Sequence, residues 1–450
     1  MTLTITMIMI AAETQVFGQD VAAGKADTAV RVMTLHECMV YAVENSAKMR
    51  MEQSNIDNAR IERRNAALSL FTPEIYASTS ASYNFGRSID PQTNSYFKTT
   101  SFSNGYGISA NIPLFDGFRT VNNYKISKTA LEIANSREQQ TENNLCLAVM
   151  EAYYNVVYYK RLSVVCQQQV SIAEKSLTKA KRQEEVGQKG YADVLEMEAD
   201  LDSRKYDLET TNNLYYNNLM ILTDLMFWPS DNPIEVDTIM PLWAVSDDNT
   251  ENIVAYAMEN NPTIKEAAAQ QLTQRRNLSV AKWNILPSIN LGAGWGTSYY
   301  TYQGYETENF GAQFRHNGGE WVSLSLSFPI WSRLGRLSNI SRSKNSLKIA
   351  TAELEQRRRD TESEVRRAIN DRNSSAIAYN HAQHRAELQK EVYNLNIKKL
   401  EQGLISPLEY QTAANNYLKA QADEMNSLFQ CLIKQAVVEY YSGTNYIDQR

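Results

Sequence analysis

No run of 18 or more apolar residues occurs anywhere in the chain, so no segment reads as a transmembrane helix. Charge of one sign is not in excess either: the net charge of −6 gives no electrostatic case for nucleic acid as a partner. A Gly-rich phosphate loop, a Gly-x-Ser-x-Gly elbow and a Cys-x-x-Cys pair are all missing. The four cysteines, Cys38, Cys146, Cys166 and Cys431, show no metal-type spacing and read as packing thiols. Cys146 and Cys166 would lie about 30 Å apart on one helix and cannot pair; a Cys38–Cys431 bridge stays open. His381 and His384 stand three apart, but no cysteine or third histidine lies near them, so they read as solvated. No cofactor, no metal and no enzymatic activity are expected from these residues.

Glycine and proline are scarce, 18 and 10 residues in 450, and they gather in clusters. Between Arg119 and Val186 there is neither. Glycine is the usual helix stop and proline the strongest interior breaker, so this stretch predicts a single helix, a rod of roughly 100 Å. Gly187 ends it. A second such rod runs from Arg336 to Gln402 and ends at Gly403. Along the first rod Leu145, Ala148, Ala152, Val156, Tyr159, Leu162, Cys166, Val170, Ala173, Leu177 and Ala180 form a stripe with steps of three and four, close to the coiled-coil repeat. The second rod is more polar, and its Arg357-Arg358-Arg359-Asp360 run reads as a solvated face.

The chain is a duplication. Gly187 recurs as Gly403 (403 − 187 = 216), and Ile112-Pro113-Leu114-Phe115 recurs as Phe328-Pro329-Ile330-Trp331 at the same offset. Val40-Tyr41-Ala42-Val43-Glu44-Asn45 recurs as Ala255-Tyr256-Ala257-Met258-Glu259-Asn260 (256 − 41 = 215). Two copies make a repeat pair and not an open solenoid. The first copy spans 34–227 and the second 250–443, joined by a Pro-punctuated linker, 228–249. Residues 444–450 form a tail, and 1–18 resemble a secretory signal, without a basic residue near Met1. Residues 19–33 read as extended.

Each copy is expected to run helix, two strands, long helix, helix. The stretches 34–70 and 191–227 read as helices whose summed length matches one rod. Strands are expected at about 75–85, 106–115, 289–302 and 321–331, and long helices at about 118–186 and 335–402. Residues 86–105 read as a polar loop. In the strands Ile75, Ala77, Thr79, Ala81, Tyr83 and Phe85 alternate with Tyr76, Ser78, Ser80, Ser82 and Asn84, and Val322, Leu324, Leu326 and Phe328 with Ser323, Ser325 and Ser327. The polar faces are Ser, Gly and Asn, almost without charge. Aromatics gather at the strand ends, Tyr299, Tyr300, Tyr302, Phe310 and Trp321 at one end and Phe115 and Trp331 at the other. Such a pattern describes a membrane β-barrel with interfacial aromatics. Four strands cannot close a barrel, so copies of the chain must share one. The competing reading is a periplasmic or surface coiled-coil scaffold with a soluble β-subdomain and no channel.

These features, in this order and twice over, resemble the TolC-like outer-membrane efflux proteins of Gram-negative bacteria. The resemblance spans about residues 34–443. It implies a mainly α fold with a β-barrel portion: a homotrimer with an α-helical periplasmic tunnel and a shared twelve-stranded barrel in outer-membrane lipid. It implies partners as well, a periplasmic adaptor and an inner-membrane pump, serving efflux or type I secretion. By position it marks Gly187, Asp193, Glu196, Gly403 and Glu409 as the periplasmic mouth and adaptor-contact turns. Thr412 stands where a fourth acid would complete the pattern, and acids at a helix start are also expected simply as caps.

Overall fold

A computed structural model describes residues 31–89, 94–239, 249–304 and 306–449. The signal-like segment 1–18 and residues 19–30 lie outside the described residues, as does Arg450. The elements run β1 (Arg31–Met33), α1 (Leu35–Asn45), α2 (Ala47–Leu68), β2 (Glu74–Ile89), β3 (Tyr96–Phe115), α3 (Arg119–Glu185) and α4 (Tyr191–Met226). Then follow β4 (Ile234–Val236), α5 (Thr250–Asn260), α6 (Pro262–Trp283), β5 (Ser288–Tyr302), α7 (Phe310–His316), β6 (Gly319–Ser327), α8 (Gly335–Glu401) and α9 (Pro407–Ser442). A single 3-10 turn, Tyr446–Asp448, closes the chain.

The duplication holds at the level of single residues. α3 and α8 each have 67 residues, and α4 and α9 each have 36. Both rods start from a residue in the left-handed region, Phe118 at φ 62° and Leu334 at φ 65°. Each rod packs along the two shorter helical pieces of its own copy, α3 on α2 and α4 and α8 on α6 and α9, and α3 also packs on α6, which joins the two copies. That is the spliced-rod arrangement expected from the lengths.

The stretch 34–70 is not one helix. Ser46 leaves the helical region at ψ 135°, and its side chain accepts a hydrogen bond from the Lys48 N–H, ending α1 and starting α2. Asn261 does the same between α5 and α6, accepting from the Thr263 N–H ahead of Pro262 at the first helical position. Two further departures concern the strands. The polar stretch 86–105 is largely strand, because the β2–β3 ladder continues through Gly86↔Thr99 to Ile89↔Tyr96. β6 stops at Ser327 and not near Trp331, since Pro329 has no N–H to give a ladder.

All four cysteines are free and buried. Burial pushes the Cys38 and Cys146 thiols up to about 12, so both are inert packing groups. They sit in the largest core, where α1, α3, α4 and α9 meet. That core is completed by β1, which pairs in parallel with β4 from the linker, and by Tyr446 of the C-terminal turn. No described helix is long and apolar enough to cross a membrane.

Candidate functional site

The two ends of the molecule carry its distinctive chemistry. At one end lies a four-stranded antiparallel sheet in the order β2-β3-β5-β6, so the two copies join through β3 and β5. The register assigns every side chain to a face. Ile75, Ala77, Ile108, Ala110, Leu291, Ala293, Val322 and Leu324 share one face, and Ser78, Ser80, Gly105, Gly107, Gly292, Gly294 and Ser323 share the other. The Val/Leu face is open: Ile75 is 70%, Val322 78% and Phe85 81% exposed.

At its upper end α7 lies against this face. Phe310 and Phe314 pack edge-on to Tyr106, Phe310 also meets Tyr299, and Phe314 meets Trp295. Buried Gln313 exchanges two hydrogen bonds with the backbone of Tyr300, its Oε1 accepting at 3.0 Å and its Nε2 donating at 2.9 Å. An amide side chain thus continues the ladder where the shorter β6 has ended.

The register also divides the aromatics expected at the membrane interface. Tyr299 and Phe310 belong with the Val/Leu face. A bulge between Pro113 and Phe115 sets Phe115 opposite Ile289, returning it to that face beside Phe118. Trp331 follows the end of β6 and is exposed. Tyr300, Tyr302 and Trp321 alternate onto the Ser/Gly face.

At the other end both rods stop in the same way. Gly187 (φ 73°) and Gly403 (φ 72°) occupy the left-handed position, and the two hydrogen bonds that close each turn match. Gln188 N–H donates to Gln183 O at 2.8 Å and Leu404 N–H to Lys399 O at 2.9 Å; the Gly187 and Gly403 N–H groups donate to Glu184 O and Leu400 O. The next helices start differently. In the first copy Asp193 reaches back, its Oδ2 accepting from the Gly190 N–H at 3.3 Å. In the second, Ser406 Oγ accepts from the Glu409 N–H at 3.2 Å, and the Glu409 carboxylate is left exposed. Glu196 is exposed, and its carbonyl accepts from Gln411 Nε2, tying α4 to α9 at 3.3 Å.

Above the turns lies a buried polar network that sequence reasoning missed. Asp200 and Arg204 on α4 form an ion pair at 3.1 Å, both side chains under 7% exposed. Arg204 Nη1 donates to Asn415 Oδ1 on α9 at 2.6 Å. Tyr393 of α8 donates to Gln169 Oε1 of α3 at 3.3 Å and lies 3.4 Å, oxygen to oxygen, from Tyr410 of α9. Burial raises the Asp200 carboxyl above its ordinary value, and Arg204 opposes that rise. Burial likewise pushes both tyrosine hydroxyls up, so Tyr393 and Tyr410 stay protonated and able to hydrogen-bond, beside the Asp200–Arg204 pair. One signal existed in the sequence: at the matching positions the second copy carries Asn416 and Ala420, so the charged pair belongs to one copy alone.

The described residues contain no cluster of three or more potential metal ligands. A model of the outer membrane efflux protein family matches residues 40–226 and 254–444. The outer membrane efflux protein BepC of Brucella suis is 23% identical over 269 residues, covering 58% of this chain and 54% of BepC. The probable efflux pump outer membrane protein TtgC of Pseudomonas putida is 22% identical over 395 residues, covering 86% of this chain and 78% of TtgC. The crystal structure of the outer membrane protein VceC of Vibrio cholerae shares the fold with a TM-score of 0.75 at 12% identity, covering 91% of this chain and 96% of VceC.

Proposed function

The chain belongs to the outer membrane efflux protein family, and from that premise we propose that three copies form an exit duct through the outer membrane of a Gram-negative bacterium. Substrates would reach it from an inner-membrane pump through a periplasmic adaptor. The observation that carries this reading is the single-layer sheet. Its Val/Leu face lies largely open and, among the described residues, its two edges, β2 and β6, have no strand partner. In water such a layer needs a cover; in lipid the apolar face is already in its solvent, and only the edges must close. β2 and β6 run in opposite directions, so copies arranged in a ring close antiparallel at every seam. The Ser/Gly face then lines a water-filled lumen, and the rods below continue it as a helical wall. A soluble scaffold leaves the open Val/Leu face unexplained. Conductance of the purified protein in planar bilayers, with its mass in detergent, tests the proposal; trimeric channels are expected. Recovery as a soluble periplasmic monomer would overturn it.

At the periplasmic end the turns at Gly187 and Gly403 are the surface offered to the adaptor. Glu409, exposed one turn inside α9, is the group placed to set a negative ring at the mouth, and Asp193 contributes mainly as a cap. The double variant Glu409→Ala, Asp193→Ala is expected to weaken block of the channel by divalent cations applied from the periplasmic side. Unchanged block removes the acidic mouth from the reading.

A further inference from the structure

The Ser/Gly face carries one feature that a plain water-filled wall does not need. A single row of the ladder reads Tyr76↔Ser109↔Gly294↔Trp321 across all four strands. The Trp321 indole lies flat over the glycines of β5. A Cβ built at Gly294 would stand 2.8 Å from the indole Cε2 and Cζ2, and one at Gly292 would stand 3.0 Å from Cζ3. With its ring seated against glycine, Trp321 remains 44% exposed. At the far edge of the same row Tyr76 is 51% exposed, its hydroxyl accepting from Asn111 Nδ2 at 2.6 Å. Between them stand only serine, asparagine and glycine, so the two rings rise above an otherwise low, uncharged surface.

We propose that Trp321 and Tyr76 form an aromatic stacking belt for planar aromatic cations passing along this face. The inference rests on the duct reading, in which three copies put six rings at one level of the lumen. An indole held by its underside and open above is a preorganised platform, and tryptophan is the side chain that best attracts a cation to its ring face. The serines and glycines around it keep the wall wide enough for a flat solute to lie against the ring.

The test is block of single channels by ethidium, with tetraethylammonium as the non-aromatic cation. Ethidium dwell time is expected to fall about tenfold in Trp321→Ala, and in Trp321→Leu, which keeps an apolar cover over the glycines but has no ring. Trp321→Phe should retain part of it, Tyr76→Ala should shorten it less, and tetraethylammonium should not distinguish the variants. Equal ethidium dwell times in the parent protein and Trp321→Leu would overturn the belt and leave Trp321 a cover for glycine. A parent protein that forms no channel at all would overturn the duct reading instead, so the two failures are distinguishable.

Discussion

The lower ends of α3–α4 and α8–α9 descend from one sequence and end on matching turns, yet they are packed by different chemistry. Leu177, Val194 and Leu201 meet in a dry cluster in the first pair. The matching positions of the second pair are Tyr393, Tyr410 and Tyr417, whose rings gather with Tyr393 and Tyr417 stacked at 5.3 Å. The first pair adds the buried Asp200–Arg204 bridge, and the second supplies Asn415 to receive it. Apolar contacts have no preferred direction, whereas hydroxyl and guanidinium contacts hold in one geometry and let go when it changes. The first pair is thus built to stay closed on itself. The second is attached to it through directional bonds beside the apolar contacts of Ile172 and Leu400, an arrangement a mouth would need if one wall were to move against the other.

Removing charge from the bridge should break this contrast most severely. Arg204→Leu leaves Asp200 buried without its partner and is expected to cost about 3–5 kcal/mol in chemical unfolding followed by circular dichroism. Next comes the pair of matched truncations. Leu177→Ala should cost about 3 kcal/mol through its cavity, whereas Tyr393→Phe, at the same place in the other copy, should cost about 1 kcal/mol. Tyr393→Phe should, however, raise channel open time more than Leu177→Ala does; the reverse order would remove the assignment of the second pair as the mobile one. Gly187→Ala and Gly403→Ala are the control for shared geometry. Both meet open space at a positive φ, so each should cost about 1 kcal/mol, and equally.

The smallest effect concerns pH. Burial, reinforced by Glu138 and Asp448, raises the Glu142 carboxyl above 4.5. Its contribution to stability is therefore fully present below that value and is lost as pH rises through the raised pKa. Melting temperatures of Glu142→Gln and the parent protein should converge in acid, with the variant gaining as the buffer moves toward neutrality.

Much of the architecture could be read from what the rods lack. Runs without glycine or proline from Arg119 to Val186 and from Arg336 to Gln402, repeated at one offset, leave little choice but two equal helices. The break at Ser46 was hidden because a capping hydroxyl sat among good helix formers; its copy, Asn261-Pro262, was the clearer sign. β2 and β3 outrun the alternation because Gly86 and Arg87 interrupt the apolar pattern while their backbones still pair. β1 and β4 have three residues each, too short for any period. The turns at Gly187 and Gly403 were found because only a left-handed residue ends such a helix so abruptly. The network above them was not, since burial of Asp200 and Arg204 is decided by helices far away in sequence. The face Trp321 takes was legible by counting: parity from Val322 puts it with the serines.

The core at the middle of α3, where α1, α4 and α9 meet it, has a consequence for how the chain is made. The largest core draws on Met33 near one terminus and Tyr446 near the other, and the His36 ring is hydrogen-bonded to the Ile447 carbonyl at 2.9 Å. During synthesis that core has no last wall until Tyr446 and Ile447 have emerged. Folding of the first repeat is thereby tied to completion of the second.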